Sequence, residues 1–197
     1  MSFTANTAFE ARITNNEFDD LCNITGKYYV STTATDCSAG HLCVRDSLLD
    51  CEGFTGVKNE NAWKMVDATD AATANDVVYA CNTYESKLIP DGDGHNYYIG
   101  SETLGLGVPA GRYGTFTKIN FDGQSVYRFG AGNLSTAIST NTFFTIDDGQ
   151  LVPAASAPTT AGAIYFKLHG TGKFVEGTSD SFTYYDVLAC KNIIATA

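Results

Sequence analysis

Residues 40–81 and 149–190 of this chain lie on each other without a gap. Each stretch runs 42 residues, and one constant shift of 109 aligns them. Eleven positions are identical: Gly40/Gly149, Leu42/Leu151, Ser47/Ser156, Gly53/Gly162, Lys58/Lys167, Lys64/Lys173, Val66/Val175, Thr69/Thr178, Val78/Val187, Ala80/Ala189 and Cys81/Cys190. Chance identity at average composition gives roughly three, and choosing the best offset about twice that. The match reads as an internal duplication, so the fold has to use one kind of block twice. Apolar character is also shared at Val57/Phe166, Met65/Phe174 and Tyr79/Leu188. The matched positions are therefore core residues, turn glycines and strand lysines, with no nucleophile and base among them.

The blocks are built from strands. Short runs rich in β-branched and aromatic residues stand at 27–31, 41–45, 63–67, 76–81, 86–89 and 96–100. More follow at 115–121, 124–129, 142–146, 163–169, 173–176 and 183–190, with turn residues between them. Asp122-Gly123 between two alternating runs is the strongest hairpin signal in the chain. Helical patterning is confined to 16–23 and 67–75, each two turns at most. The expectation is an all-β protein of two related small β-sandwich or barrel units. An N-terminal arm at 1–16 precedes a first unit at 17–90. A connection or inserted hairpin at 91–111 then leads to a second unit at 112–197.

Twenty-two acidic residues against twelve lysines and arginines leave a formal charge of −10. That balance argues against nucleic acid, which is gripped by clustered cations that release phosphate counterions, and against an anionic membrane surface. No run approaches the ~20 apolar residues of a membrane span. The first residues lack the basic and apolar regions of a signal peptide. With Met1 as the natural start, folding in a reducing cytosol is expected. Cys37 and Cys43 align with Ile146 and Val152 of the other stretch. Cysteine that exchanges with aliphatic residues behaves as a small buried hydrophobe, so reduced core thiols are expected.

Each candidate for chemistry has a plainer reading beside it. Cys37, His41, Cys43 and Cys51 supply soft ligands of the kind zinc takes, but they lack a Cys-x2-Cys knuckle. Asp91, Asp93 and Glu102 fall at positions 1, 3 and 12 of a calcium loop. Asn96 stands where that loop turns on glycine, and a surface turn is the plainer reading. The three histidines, His41, His95 and His169, belong to no nucleophile elbow or zinc-protease motif. Trp63, Tyr97, Tyr98, Tyr113, Tyr127, Tyr184 and Tyr185 are candidate sugar-stacking faces, against the commoner role of core or interface aromatics. Asn23 and Asn133 open Asn-x-Ser/Thr sequons, which matter only in a eukaryotic secretory chain.

The segment AIYFKLHGTGKFVEGT leading into YYDVLAC, together with few lysines and arginines and duplicated β units, resembles accessory proteins on the heads of tailed bacteriophages. The resemblance covers residues 115–197 and more weakly 23–81. It implies a virion structural protein made in the host cytoplasm, with no catalytic residues, cofactor or metal. Its partner would be the major capsid protein or another virion protein, with homo-oligomers in reach. Two other functions stay open: a carbohydrate-binding or adhesion module of a surface or secreted protein, and a β-fold hydrolase using two carboxylates in a cleft.

Overall fold

The computed structural model describes residues 4, 6–13, 23–69, 77–82, 88–90, 96–98, 107–176 and 180–193. The protein is all-β, and the only helical element among these residues is a 3-10 turn at Ala131–Asn133. The strands are β1 Phe9–Ile13, β2 Asn23–Val30, β3 Thr33–Ala34, β4 Cys37–Ser38, β5 Leu42–Asp50, β6 Lys58–Asp67, β7 Val78–Cys81 and β8 Leu88–Pro90. They continue as β9 Asn96–Tyr98, β10 Gly107–Val108, β11 Gly114–Lys118, β12 Val126–Gly130, β13 Phe143–Asp147, β14 Gln150–Ala154, β15 Ile164–Glu176 and β16 Asp180–Lys191.

Five strands close on themselves. The order β11-β7-β5-β6-β2 is completed by pairing of β11 with β2, giving a barrel in which only β2 and β6 run parallel. Closure removes the sheet edges that would otherwise invite pairing with other chains. Alternation fills the interior: Tyr28, Cys43, Met65, Tyr79, Cys81 and Phe116 point inward, joined by Cys37 of β4 and Val108 of β10. The β4–β10 ladder packs so tightly that a Cβ at Gly107 would lie 1.8 Å from the Cys37 carbonyl oxygen.

Six strands form an antiparallel sheet in the order β1-β12-β16-β15-β13-β14. One face carries Phe9, Tyr127, Phe129, Phe144, Ile146, Leu151, Phe166, Val187 and Ala189. These pack with Leu42, Val78 and Ala80 from the outer face of the barrel in one continuous core. β7 is thus covered on both sides. Val78 and Ala80 face the sheet while Tyr79 and Cys81 face the barrel interior, which is why its four residues are uniformly apolar and buried. Pro153 stands on edge strand β14, where a missing N–H costs nothing and discourages further pairing.

The two matched stretches do not fold as two copies of one unit. β5 lies between β6 and β7, whereas their counterparts β15 and β16 pair directly and β14 pairs with β13. The turns explain the divergence. β13 and β14 are joined by Asp148-Gly149 with both φ positive, 45° and 71°, the two-residue turn that suits a tight hairpin. Ala39-Gly40 occupies that place in the first stretch. Alanine resists a positive φ where aspartate accepts it, so no such hairpin forms and β5 is left with two open sides. What the stretches share is burial. Leu42, Val78 and Ala80 meet their matches Leu151, Val187 and Ala189 in the same core.

Two boundaries and one turn also differ from expectation. Residues 9–13 are not a free arm but the edge strand β1, with Phe9 stacked on Tyr127 at 6.0 Å and Thr7 and Ala8 buried. β11, expected in the second unit, completes the barrel of the first. Asp122-Gly123 therefore does not close a hairpin, because β11 and β12 belong to different sheets. Asp122 instead braces the crossing, its carboxylate accepting from the backbone N–H groups of Gln124 and Ser125 and from the Ser125 hydroxyl. The helical candidates at 16–23 and 67–75 fall mostly outside the described residues, and Asn23 and Asp67 are strand residues.

Candidate functional site

Of the three histidines, His41 alone is brought to a carboxylate in the described residues. It precedes β5, and Asp67 ends β6, the neighbouring strand. His41 Nε2 lies 2.6 Å from Asp67 Oδ1, and the Tyr28 hydroxyl donates to the same oxygen at 2.5 Å. A carboxylate only accepts, so His41 donates through Nε2. Burial works against the Asp67 charge, but the hydrogen bonds from His41 and Tyr28 outweigh it and hold the carboxyl below its usual range. Burial and the adjacent carboxylate push the Tyr28 hydroxyl far up, so it stays a donor.

The triad is half-buried, with Tyr28 buried and His41 and Asp67 partly open to solvent. The Tyr28 ring meets the His41 ring edge-on at 5.1 Å. On another side lies Gly149, where a Cβ would fall 2.1 Å from His41 Nε2. The Leu42 N–H donates to the Gly149 carbonyl, and the Gly149 N–H donates to the Ala68 carbonyl. Tyr28, His41 and Asp67 thus form a polar joint where the barrel meets the β13–β14 turn. Neither Tyr28 nor Asp67 stood out as a site residue in the sequence. The matched acidic position Asp67/Glu176 was the one signal pointing there.

The other candidates are dispersed. Cys37 and Cys43 sit beside Cys81 inside the barrel, while Cys51 lies in the β5–β6 loop, and His41 faces Asp67 instead. No group of three or more His, Cys, Asp or Glu among the described residues is placed to hold a metal ion. The five described cysteines are free thiols. Burial pushes the Cys37 and Cys43 thiols up and keeps them protonated. Each donates to a backbone carbonyl, as does Cys81. His169 is exposed at a bulge in β15. Asp91, Asp93, His95 and Glu102 lie outside the described residues, as do the side chains of Tyr97 and Tyr98.

The candidate sugar-stacking faces are largely occupied. Arg45 lies over Trp63 at 4.6 Å, Lys27 over Tyr113 at 4.1 Å and Arg128 over Tyr184 at 3.6 Å. Tyr127 is wholly buried, and Tyr185 packs on the shared core. Arg128 is itself held by paired bonds to both oxygens of Asp186 at 2.8 and 2.9 Å. Asn133 is buried and fully engaged. Its Oδ1 accepts from the Ala8 and Gly130 N–H groups and its Nδ2 donates to the Ala39 carbonyl, which leaves no room for a glycan.

One feature faces outward. β5 and β6 run on as a two-stranded ribbon beyond their pairing with β7 and β2, and the register between them slips twice, by one extra residue in β5 between Arg45 and Leu48 and by three extra in β6 between Lys58 and Trp63. Its loop, residues 51–57, carries Phe54 with 66% and Val57 with 53% of their surface exposed. Gly53 and Gly56 take φ of 83° and 82°, which glycine tolerates and larger residues resist. The Cys51 N–H donates to the Val57 carbonyl at 2.6 Å, and the Phe54 N–H to the Cys51 carbonyl at 3.0 Å. Asp50 accepts from the Gly56 N–H and from Lys58 Nζ, which together draw its carboxyl below the usual range. Phe54 was not singled out from the sequence; a large aromatic set between two turn glycines was the available signal.

Comparison with protein-family models, with curated proteins and with solved structures finds no match to this chain.

Proposed function

We propose that the protein acts by binding, as a virion structural component that docks on a capsid lattice as a head decoration or accessory protein. The observation that carries this reading is the projecting β5–β6 ribbon with its exposed apolar tip. An aromatic side chain held out in water by a hydrogen-bonded loop gains nothing for the isolated fold, and burial against a partner recovers the lost hydrophobic free energy. The titratable side chains support the same role. His41, Asp67, Tyr28, Arg128 and Asp186 are engaged with one another, so they hold strands and sheets together. The net negative charge fits a particle exterior that resists nonspecific adhesion.

The test is addition of purified protein to heads assembled without it. Saturable binding, and heads that survive heat or low salt better once decorated, are the expected results. If the protein does not bind, and particles lacking it keep their stability and infectivity, the role is wrong. A carbohydrate-binding role has less to rest on, because cations already lie over the candidate rings of Trp63, Tyr113 and Tyr184.

A further inference from the structure

We infer that the loop between β5 and β6 is the anchor of the docking surface, with Phe54 entering an apolar socket on a partner protein whose rim carries lysine or arginine. This rests on the binding role proposed above and adds which element docks and what chemistry receives it.

Three observations converge on the tip. Phe54 and Val57 are two of the four large apolar residues that stand exposed among the described residues, and they share one short loop. That loop is already fixed by the two backbone bonds across it and by Asp50, which grips both Gly56 and Lys58. A loop set before binding avoids most of the ordering cost that a flexible one incurs on association. The charges then decide the partner. Asp50 and Lys58 neutralise each other at 2.7 Å, whereas Glu52 and Glu60 are exposed and make no ion pair with a described residue. The apolar tip is therefore flanked by two uncompensated carboxylates.

Those carboxylates discriminate among occupants. An anionic bilayer repels them, and a neutral one offers them no counter-charge. A second copy of this chain brings the same acidic tip and a net charge of −10, so self-association through this loop is opposed. A protein socket with a basic rim satisfies both the ring and the carboxylates. Phe54 alone buries on the order of 200 Å², a fraction of what a stable interface needs. It serves as the hot spot, and the exposed stretch of the ribbon supplies the rest of the contact.

The experiment measures binding to heads assembled without the protein, using wild type, Phe54→Ser and Glu52→Lys. Both positions are exposed, and unchanged thermal unfolding confirms that the variants fold. Phe54→Ser is expected to weaken binding about 30-fold, the effect of removing a hot-spot residue. Glu52→Lys is expected to slow association, with a deficit that shrinks as salt is added. Wild-type binding with Phe54→Ser equally tight overturns the anchor while leaving the binding role intact. Absence of wild-type binding removes both. Flotation of wild type with phosphatidylcholine vesicles that Phe54→Ser abolishes would assign the tip to lipid and overturn the socket. Dimerisation abolished by the same change would assign it to a second copy and do likewise.

Discussion

Asp67 Oδ1 lies 2.6 Å from His41 Nε2 while also receiving the Tyr28 hydroxyl, so one oxygen ties the end of β6 to a residue of β2 and to the residue that leads into β5. The arrangement has a pH signature. With its carboxyl held below the ordinary 3.8, Asp67 binds a proton less readily in the folded state than in the unfolded one. Its contribution is therefore complete above that value and is lost as pH falls through the lower folded-state value. Asp122, held down by the backbone N–H groups and hydroxyl that outweigh its burial, acts in the same direction. Urea unfolding between about pH 5 and pH 2 should show wild type losing stability more steeply than Asp67→Asn. Parallel curves for the two proteins would mean that the Asp67 charge does not stabilise the joint.

Gly149 is the other half of that joint. Its φ of 71° and the 2.1 Å approach of a Cβ to the His41 ring make Gly149→Ala a combined backbone and packing fault. The expected cost is roughly 2–5 kcal/mol. A double mutant with His41→Ala, which empties the space the new methyl needs, should recover the packing part and retain the backbone part. Chemical denaturation of the four proteins measures the coupling.

Asn133 offers a test of how the N-terminal strand is held. Asn133→Ala leaves the N–H groups of Ala8 and Gly130 and the carbonyl of Ala39 without their side-chain partner. A loss of roughly 3 kcal/mol is expected from three buried groups left wanting. Native-state hydrogen exchange should show the largest local loss of protection at Ala8 and along β1.

Thiol labelling separates the cysteines by position. Cys37, Cys43 and Cys81 are fully buried, and Cys51 and Cys190 are partly exposed. Under native conditions without reductant, Cys51 should label first among these five. Cys190 should follow slowly, because burial raises its thiol. The three barrel thiols should label only on unfolding. Intact mass spectrometry after a timed pulse reads the order. Early labelling of Cys43 would contradict a closed barrel.

Local patterning made the class legible. The runs at 63–67 and 183–190 lie within observed strands, and those at 27–31 and 41–45 each lie in β2 and β5 but for one end residue, because alternation and β-branching act within one strand. Partnership was not legible. Asp122-Gly123 has the composition of a hairpin turn but joins two sheets, while Asp148-Gly149, at the start of the repeated stretch, makes the hairpin. A dipeptide sets the local bend; whether the flanking strands then pair depends on which neighbours distant segments leave open. Phe9 shows the same limit. Little in residues 1–16 is periodic, yet Phe9 packs against Tyr127 and Phe129 where β1 pairs with β12. The site was less readable still. His41 and Cys43 stood out by type, but their partners Asp67 and Cys81 are fixed by strand register, and Phe54 is conspicuous only once its exposure is known.

The interleaving of the chain bears on how it is made. β1 leaves the ribosome before the barrel strands, but its partner β12 follows only after the whole barrel has been synthesised. Phe9 must wait in solvent for Phe129, and the barrel itself stays open until β11 arrives to join β2 and β7. Assembly late in synthesis is thus built into the order of the strands. A nascent chain from which β11 has emerged but β12 has not would present a closed barrel whose outer apolar wall, Leu42, Val78 and Ala80, has nothing yet to cover it. At that length the protein should be most dependent on chaperones and most prone to aggregate.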